Sequence, residues 1–79
     1  PNWLREALPQ ELGVHYFRVA SAKAFVGDNN GAMEYLEKAV DNGWLYIDFL
    51  KNRKEFESVH GTPKWNRILK KIQEKAKKS

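Results

Sequence analysis

The most informative part of the chain is residues 13–43, which read GVHYFRVASAKAFVGDNNGAMEYLEKAVDNG. Apolar residues recur every three or four positions on both sides of the central run 27–31, GDNNG. That spacing puts apolar side chains on one face of a helix, whereas glycine and asparagine in such a run are typical of a turn. Residues 13–43 therefore predict two helices joined by a tight turn, in the manner of an antiparallel helix pair.

The first of these helices is predicted to begin at Pro9, which suits a first turn because the N–H that it lacks would have no partner there. Gly13 weakens this helix. We expect one face to be buried, with the Lys23 amine reaching out to water. That face carries residues at helical spacing: Leu12, Tyr16, Val19, Ala20 and Lys23.

The second helix has signals at both of its ends. An Asp or Asn within 28–30 can cap its start, and Gly43 suits the left-handed residue that follows a helix. Charged residues occupy the outer face, so the helix is amphipathic. The face predicted to be buried consists of Ala32, Tyr35, Leu36, Ala39 and Val40.

The rest of the chain predicts further helices and no strand. Residues 44–60 favour two short helical pieces that separate near 52–54, and residues 1–8 favour a short leading helix. Thr62 and Pro63 suit the cap and the first turn of a final helix. Its apolar stripe is Trp65, Ile68, Leu69, Ile72 and Ala76. Because period-two alternation is not sustained anywhere, the predicted class is all-α, with four main helices and short pieces.

Residues 13–43 resemble a tetratricopeptide repeat, whose length is about 34 residues. Gly27 and Asp28 match the turn between the two helices of that motif. Small and large residues match the motif in both helices: Val19, Ala20, Ala32, Leu36 and Ala39. Three positions differ, because Tyr16 replaces a tryptophan, Lys23 a tyrosine and Trp44 a proline.

Residues 44–79 resemble the helical C-terminal extension that follows the last repeat of many bacterial proteins. The likeness rests on aromatic and apolar residues in order: Gly43, Trp44, Ile47, Asp48, Phe49, Leu50, Phe56, Val59, Pro63, Lys64, Trp65, Ile68 and Leu69. A second repeat in register near Ile47 is not recognisable. The resemblance implies one domain over 1–79, an α–α superhelix fragment with a leading helix (1–8), a repeat (13–43) and a C-terminal cap (44–79). It also implies that the domain ends a longer protein.

Composition and motifs argue against several function classes. The chain has no cysteine, which excludes disulfides, thiolate metal sites and cysteine nucleophiles. No apolar run approaches the roughly 20 residues of a membrane span. His15 and His60 are not spaced as metal ligands, and residues 28–31 lack the alternating ligands of a calcium loop. We expect no catalysis, no metal and no cofactor.

Two surfaces are candidates for binding. The resemblance implies that one face of the first helix lines a peptide groove, namely Val14, Phe17, Ser21, Ala24 and Phe25. The alternative is that the leading helix or an upstream repeat covers Phe17 and Phe25. The second surface is basic, because residues 64–79 hold seven Lys or Arg against Glu74 alone. Its candidate contacts for an anionic partner are Lys70, Lys71, Lys75, Lys77 and Lys78.

The resemblance implies a scaffolding module that binds a protein or peptide. The alternative is a small basic domain that binds nucleic acid through its last helix. Nucleic acid is the less favoured partner, because Trp65 lies on the apolar stripe and offers no stacking platform among the lysines. The sequence leaves the partner's identity and the oligomeric state open, and leaves the compartment open with the cytoplasm favoured.

Overall fold

The computed structural model describes residues 9–78, which form five helices and no strand. Four are α-helices, α1 (Pro9–Phe25), α2 (Asn29–Asp41), α3 (Ile47–Lys51) and α4 (Pro63–Lys78), and a 3₁₀ helix (Lys54–Val59) follows α3. The all-α prediction is confirmed, and the two short pieces separate at 52–53 as predicted. The leading helix predicted over 1–8 lies outside the described residues. Within the described part, no helix is long and apolar enough to cross a membrane.

The turn between α1 and α2 has the chemistry that its sequence predicts. Gly27 has a φ of 86°, a left-handed conformation that glycine adopts without steric cost. Asp28 caps α2, because its carboxylate accepts a hydrogen bond from the Gly31 N–H at 3.0 Å. That bond lowers the pKa of Asp28 below its ordinary value. A tight reversal of the chain therefore joins the two helices.

Contacts at the far end show that α1 and α2 are antiparallel. Gly13, near the start of α1, lies against the Ala39 carbonyl and Trp44 at the end of α2. A Cβ atom at Gly13 would lie only 3.0 Å from the Trp44 Cβ. The glycine that weakens the isolated helix is thus the residue that lets the two backbones approach each other.

The face of α1 that is buried differs from the predicted one. The buried residues are Gly13, Phe17, Ala20, Ser21 and Ala24. The predicted burial of this stripe is wrong for Leu12, which is 42% exposed. It is only partial for Tyr16, Val19 and Lys23, which are half-buried. The helix has apolar residues around most of its circumference and two neighbours, α2 and the C-terminal extension. Its buried face consequently lies between the predicted stripe and the candidate binding face.

The start of α4 repeats the start of α2 at an interval of 34 residues. Gly61 has a φ of 83°, close to that of Gly27, which stands 34 positions earlier. Thr62 then caps α4, because its hydroxyl oxygen accepts a hydrogen bond from the Trp65 N–H at 3.2 Å. This is the bond that Asp28 makes at α2, again 34 positions earlier. The predicted cap of the last helix is confirmed.

Helix α4 lies beside α2 and runs in the same direction. Arg67 contacts Glu37 at 3.5 Å, while Lys71, one turn later, contacts Asp41 at 2.5 Å. The 3₁₀ helix lies against α1, where Ser21 meets Glu55, and α3 contacts both α4 and, through Phe49, the Phe17 ring of α1. The described residues therefore form two helical layers, one of α1 with the short helices and one of α2 with α4.

A ladder of aromatic rings forms the centre of the core between these layers. Phe17 stacks on Trp44 with ring centroids 4.2 Å apart, and Phe56 lies 6.0 Å from both Phe17 and Trp65. All four rings are at least nine-tenths buried. They connect α1, the loop after α2, the 3₁₀ helix and α4, so burying them couples the C-terminal extension to the helix pair.

Candidate functional site

A groove of about 520 Å³ lies between α1 and the segment that follows α2. We call it the aromatic groove, because four of its eight lining residues are aromatic. Helix α1 contributes one side, and the loop and short helix that follow α2 contribute the other. Its lining residues are Val14, Phe17, Arg18, Ser21, Trp44, Tyr46, Phe49 and Arg53.

The rings of the groove are held in place by one another. Phe17 and Trp44 are almost parallel and nearly buried, and they form the floor. Tyr46 meets Trp44 edge-on at 5.5 Å, and Phe49 meets Phe17 edge-on at 5.7 Å. These two outer rings remain 57% and 50% exposed. Edge-to-face pairs of this kind add stability beyond buried area, so the exposed rings are fixed without a ligand.

A buried carboxylate lies behind the polar edge of the groove. The Glu55 side chain is only 3% exposed, and it forms an ion pair with Arg53. The Arg53 guanidinium donates to one carboxylate oxygen through two nitrogens, at 2.8 and 2.7 Å. The Ser21 hydroxyl donates to the same oxygen at 2.5 Å. The network joins α1 to the 3₁₀ helix through one carboxylate.

The ionisation of Glu55 follows from these partners. Burial alone would raise the pKa of the carboxyl, because it penalises the charged form. The hydrogen bonds from Ser21 and Arg53 outweigh that effect and hold the pKa of Glu55 below its ordinary value. Glu55 is therefore ionised at neutral pH and compensates the charge of Arg53.

Arg53 also occupies the cation-binding position of the groove. Its guanidinium carbon lies 5.1 Å from the centre of the Phe49 ring and 6.0 Å from that of Phe17. Aromatic faces attract cations at such distances. Since the protein's own arginine already lies there and is paired with Glu55, the ring faces next to it are occupied.

Arg18 is the other cation that lines the groove, and it has no ion-pair partner among residues 9–78. Arg18 is exposed on α1. The lining includes no acidic residue. The groove therefore combines an apolar floor, two exposed rings and one arginine that forms no ion pair within the described part of the chain.

The predicted binding face divides into three parts. Val14, Phe17 and Ser21 line the groove, whereas Ala24 is buried and Phe25 is 71% exposed outside it. Trp44 of the C-terminal extension covers Phe17. This is a different cover from the leading helix or upstream repeat considered as the alternative.

The sequence reasoning did not include five of the eight residues that line the groove. The missing residues are Arg18, Trp44, Tyr46, Phe49 and Arg53. A signal for three of them was available, because three aromatic residues within six positions, 44–49, exceed what one short helix can bury. Arg18 and Arg53 carried no signal, because only the fold brings them beside these rings.

The lysines predicted to contact an anionic partner are not equivalent. Lys71 pairs with Asp41 at 2.5 Å and with Glu37 at 3.4 Å, and the hydrogen bond to Asp41 raises its pKa above the ordinary value. Lys70 and Lys77 are exposed, whereas Lys75 is half-buried and takes part in an interaction. The side chain of Lys78 lies outside the described residues.

Comparison of the chain with protein-family models, with curated proteins and with solved structures finds no match. Within the described part, no group of three histidine, aspartate or glutamate side chains could hold a metal ion. The aromatic groove is the feature from which a function can be argued.

Proposed function

We propose that the chain is a non-catalytic protein-interaction module of the tetratricopeptide type, which forms the C-terminal end of a repeat array in a larger protein. It binds a peptide segment of its partner in the aromatic groove. The observation that carries this proposal is the pair of half-exposed rings, Tyr46 and Phe49, fixed above the buried floor of Phe17 and Trp44.

The interval between equivalent turns supports the repeat type. Gly27 with its capping Asp28 and Gly61 with its capping Thr62 stand 34 positions apart, the length of a tetratricopeptide unit. In α2 the residues Ala32 and Ala39 are fully buried, as small residues are where two helices approach closely. On this interpretation α3 and the 3₁₀ helix replace the first helix of a second unit, and α4 is its second helix.

The groove has the properties of a peptide-binding surface. Its volume lies within the roughly 300–1,000 Å³ of typical ligand pockets. Aromatic residues and arginine are the residue types that dominate binding energy at protein interfaces. Because its rings are already ordered, a ligand would bind without the entropic cost of ordering them. Shallow apolar sites beside polar edges suit the side chains of an extended peptide.

The basic surface of α4 supports the nucleic-acid alternative less well. Arg67 and Lys71 form ion pairs with Glu37 and Asp41 on α2, so these two cations are less available to bind phosphates. Trp65 is 3% exposed and cannot stack on a base. Among the described residues of α4, Lys64, Lys70 and Lys77 remain exposed, but three lysines neutralise few phosphates.

Selection from a displayed library of random short peptides tests the proposal. We expect ligands whose amide NMR shifts fall on 14–21 and 44–53. The substitution Phe49→Ala should weaken their binding, whereas Phe25→Ala, at a still more exposed phenylalanine outside the groove, should not. Equal effects of the two variants, shifts confined to α4, or a library without ligands would overturn the proposal.

A further inference from the structure

We infer that the peptide bound by the aromatic groove is acidic, with a carboxylate next to an apolar or aromatic side chain, and that Arg18 recognises this carboxylate. The inference rests on the proposed function and specifies the partner's chemistry. It follows from the charges on the groove wall and from the place of each charge relative to the rings.

The wall of the groove has a net positive charge, because Glu55 compensates Arg53 while no acidic residue lines the wall to compensate Arg18. It contains Arg18 and Arg53. The Glu55 side chain, which is bonded to Arg53 and Ser21, is 3% exposed, and the exposed Glu11 belongs to the adjoining hollow that it lines with Val14 and Arg18. A ligand in the groove therefore meets positive charge at the edge and no exposed acid among the lining residues. Electrostatic complementarity favours an anionic partner and selects against a cationic one.

The aromatic faces do not offer a site for a cation, although rings in such a cluster often do. The guanidinium of Arg53 lies over Phe49 and Phe17, at 5.1 and 6.0 Å from their centres. A ligand lysine or methylated amine would have to approach this charge in a partly dry site. The ring edges, and the ring faces that point away from Arg53, remain free. These surfaces suit a neutral apolar side chain.

Arg18 and Arg53 differ in what they can give a ligand. Arg53 already donates through Nε and one terminal nitrogen to Glu55, so its strongest bonds are made. Arg18 is exposed and has no ion-pair partner among the described residues. Its planar guanidinium can take a carboxylate through two parallel hydrogen bonds. The specificity for an acid is therefore assigned to Arg18.

The position of Arg18 on α1 determines which group of the ligand lies next to its carboxylate. Val14 lies one turn before it, and Ser21 lies about one turn after it, on the same side of the helix. Both belong to the groove wall. A carboxylate on Arg18 is consequently close to an apolar side chain that enters between Val14 and Phe49. An acidic residue adjacent to a leucine or phenylalanine satisfies both contacts.

A nucleic acid does not fit the same surface. A nucleic-acid strand carries phosphates at short, regular intervals and needs several cations along its path. Between apolar walls, the groove offers one arginine that forms no ion pair among the described residues. A peptide with one or two acidic residues among apolar residues has a charge density that matches this single arginine of the groove.

Isothermal titration of the purified chain with three synthetic peptides tests the inference. Each is short, acetylated and amidated, and alternates leucine or phenylalanine with a second residue, which is glutamate, glutamine or lysine. We expect the glutamate peptide to bind most tightly and the lysine peptide least. Added salt should weaken the glutamate peptide and leave the glutamine peptide unchanged.

Two matched variants locate the charge that is recognised. Arg18→Gln should weaken the glutamate peptide about two- to five-fold, as for an exposed ion pair, and leave the glutamine peptide unaffected. Lys70→Gln removes an equally exposed charge from α4 and should change neither. Thermal melting of both variants checks that each retains its fold.

Each contrary result has a distinct meaning. Equal binding of the glutamate and glutamine peptides, with NMR shifts still in the groove, would refute the acidic preference but keep the groove's function. Tighter binding of the lysine peptide, or an equal loss in Lys70→Gln, would overturn the assignment to Arg18. If none of the three peptides binds, the inference is wrong, and the library selection decides the proposed function independently.

Discussion

Ser21 in α1 and Glu55 in the 3₁₀ helix are 34 positions apart in sequence, and the Ser21 hydroxyl donates a hydrogen bond to the Glu55 carboxylate at 2.5 Å. Arg53 binds the same oxygen from the other side. This contact fixes the C-terminal extension on α1 along the edge of the aromatic groove. It makes a polar network, as well as the ring ladder, responsible for the shape of the groove.

Removing the Glu55 carboxylate should destabilise the fold. Glu55→Ala leaves Ser21 and Arg53 without their shared acceptor. A hydrogen bond to a charged group contributes about 1.5–3 kcal/mol to the free energy of unfolding. We expect a loss of that order in the free energy of unfolding, measured with urea. Glu57→Ala is the control, because Glu57 is exposed on the same 3₁₀ helix. Similar losses in the two variants would show that the network contributes little.

The same carboxylate should make stability depend on pH in the acid range. Its pKa is lower in the folded chain than the ordinary value of 4.5, so its contribution is complete above that value. The contribution disappears as the pH falls through the lower, folded-state pKa. The difference in melting temperature between the wild type and Glu55→Gln should therefore be largest near neutrality and shrink below about pH 4. A difference that is constant with pH would contradict this ionisation.

Gly13→Ala should lower stability, although the same change raises it in most helices. Alanine gains about 1 kcal/mol over glycine in a helix interior. Here the new methyl would lie 3.0 Å from the Trp44 Cβ and 3.2 Å from the Ala39 carbonyl oxygen, and overpacking costs typically about 1–3 kcal/mol. We expect a net loss of up to about 2 kcal/mol in urea unfolding. A more stable variant would mean that α1 and Trp44 can separate without cost.

Trp65→Ala should leave the chain mostly unfolded. Trp65 is 3% exposed, and its ring stacks 6.0 Å from that of Phe56. Such large-to-small changes in a core cost roughly 3–5 kcal/mol, while a small domain has about 5 kcal/mol in total. Urea unfolding followed by the fluorescence of the buried Trp44 reports the loss. Lys64→Ala, at the exposed neighbouring position, is the control and should leave the midpoint unchanged.

Local chemistry made much of the fold predictable. Asp28, Thr62 and Gly43 act through bonds and dihedral angles within a few residues, so their roles could be inferred from neighbours in the sequence. The buried face of α1 could not be inferred in this way. Apolar residues surround that helix, and only the position of Trp44 decides which of them are covered.

The groove was still less accessible to sequence reasoning. Arg18 and Phe49 are far apart in the chain, and no motif of the sequence links the two. Their proximity depends on how the C-terminal extension lies against α1, which Gly13 permits and Glu55 fixes. The prediction of a binding face on α1 therefore included Val14 and Ser21 but not the opposite wall.

The lysines of α4 should divide into one that stabilises the fold and others that do not. Lys71 lies between Asp41 and Glu37, and its side chain is only 32% exposed. Lys71→Gln should therefore cost about 0.2–1 kcal/mol, the range of partly exposed ion pairs. Lys70→Gln, one position earlier and exposed, should cost nothing measurable. The loss for Lys71→Gln should also shrink at high salt, because screening weakens its two ion pairs. Urea midpoints at low and high salt measure both effects. Identical midpoints for the two variants would mean that α4 is held on α2 by Trp65, Ile68 and Ile72 alone.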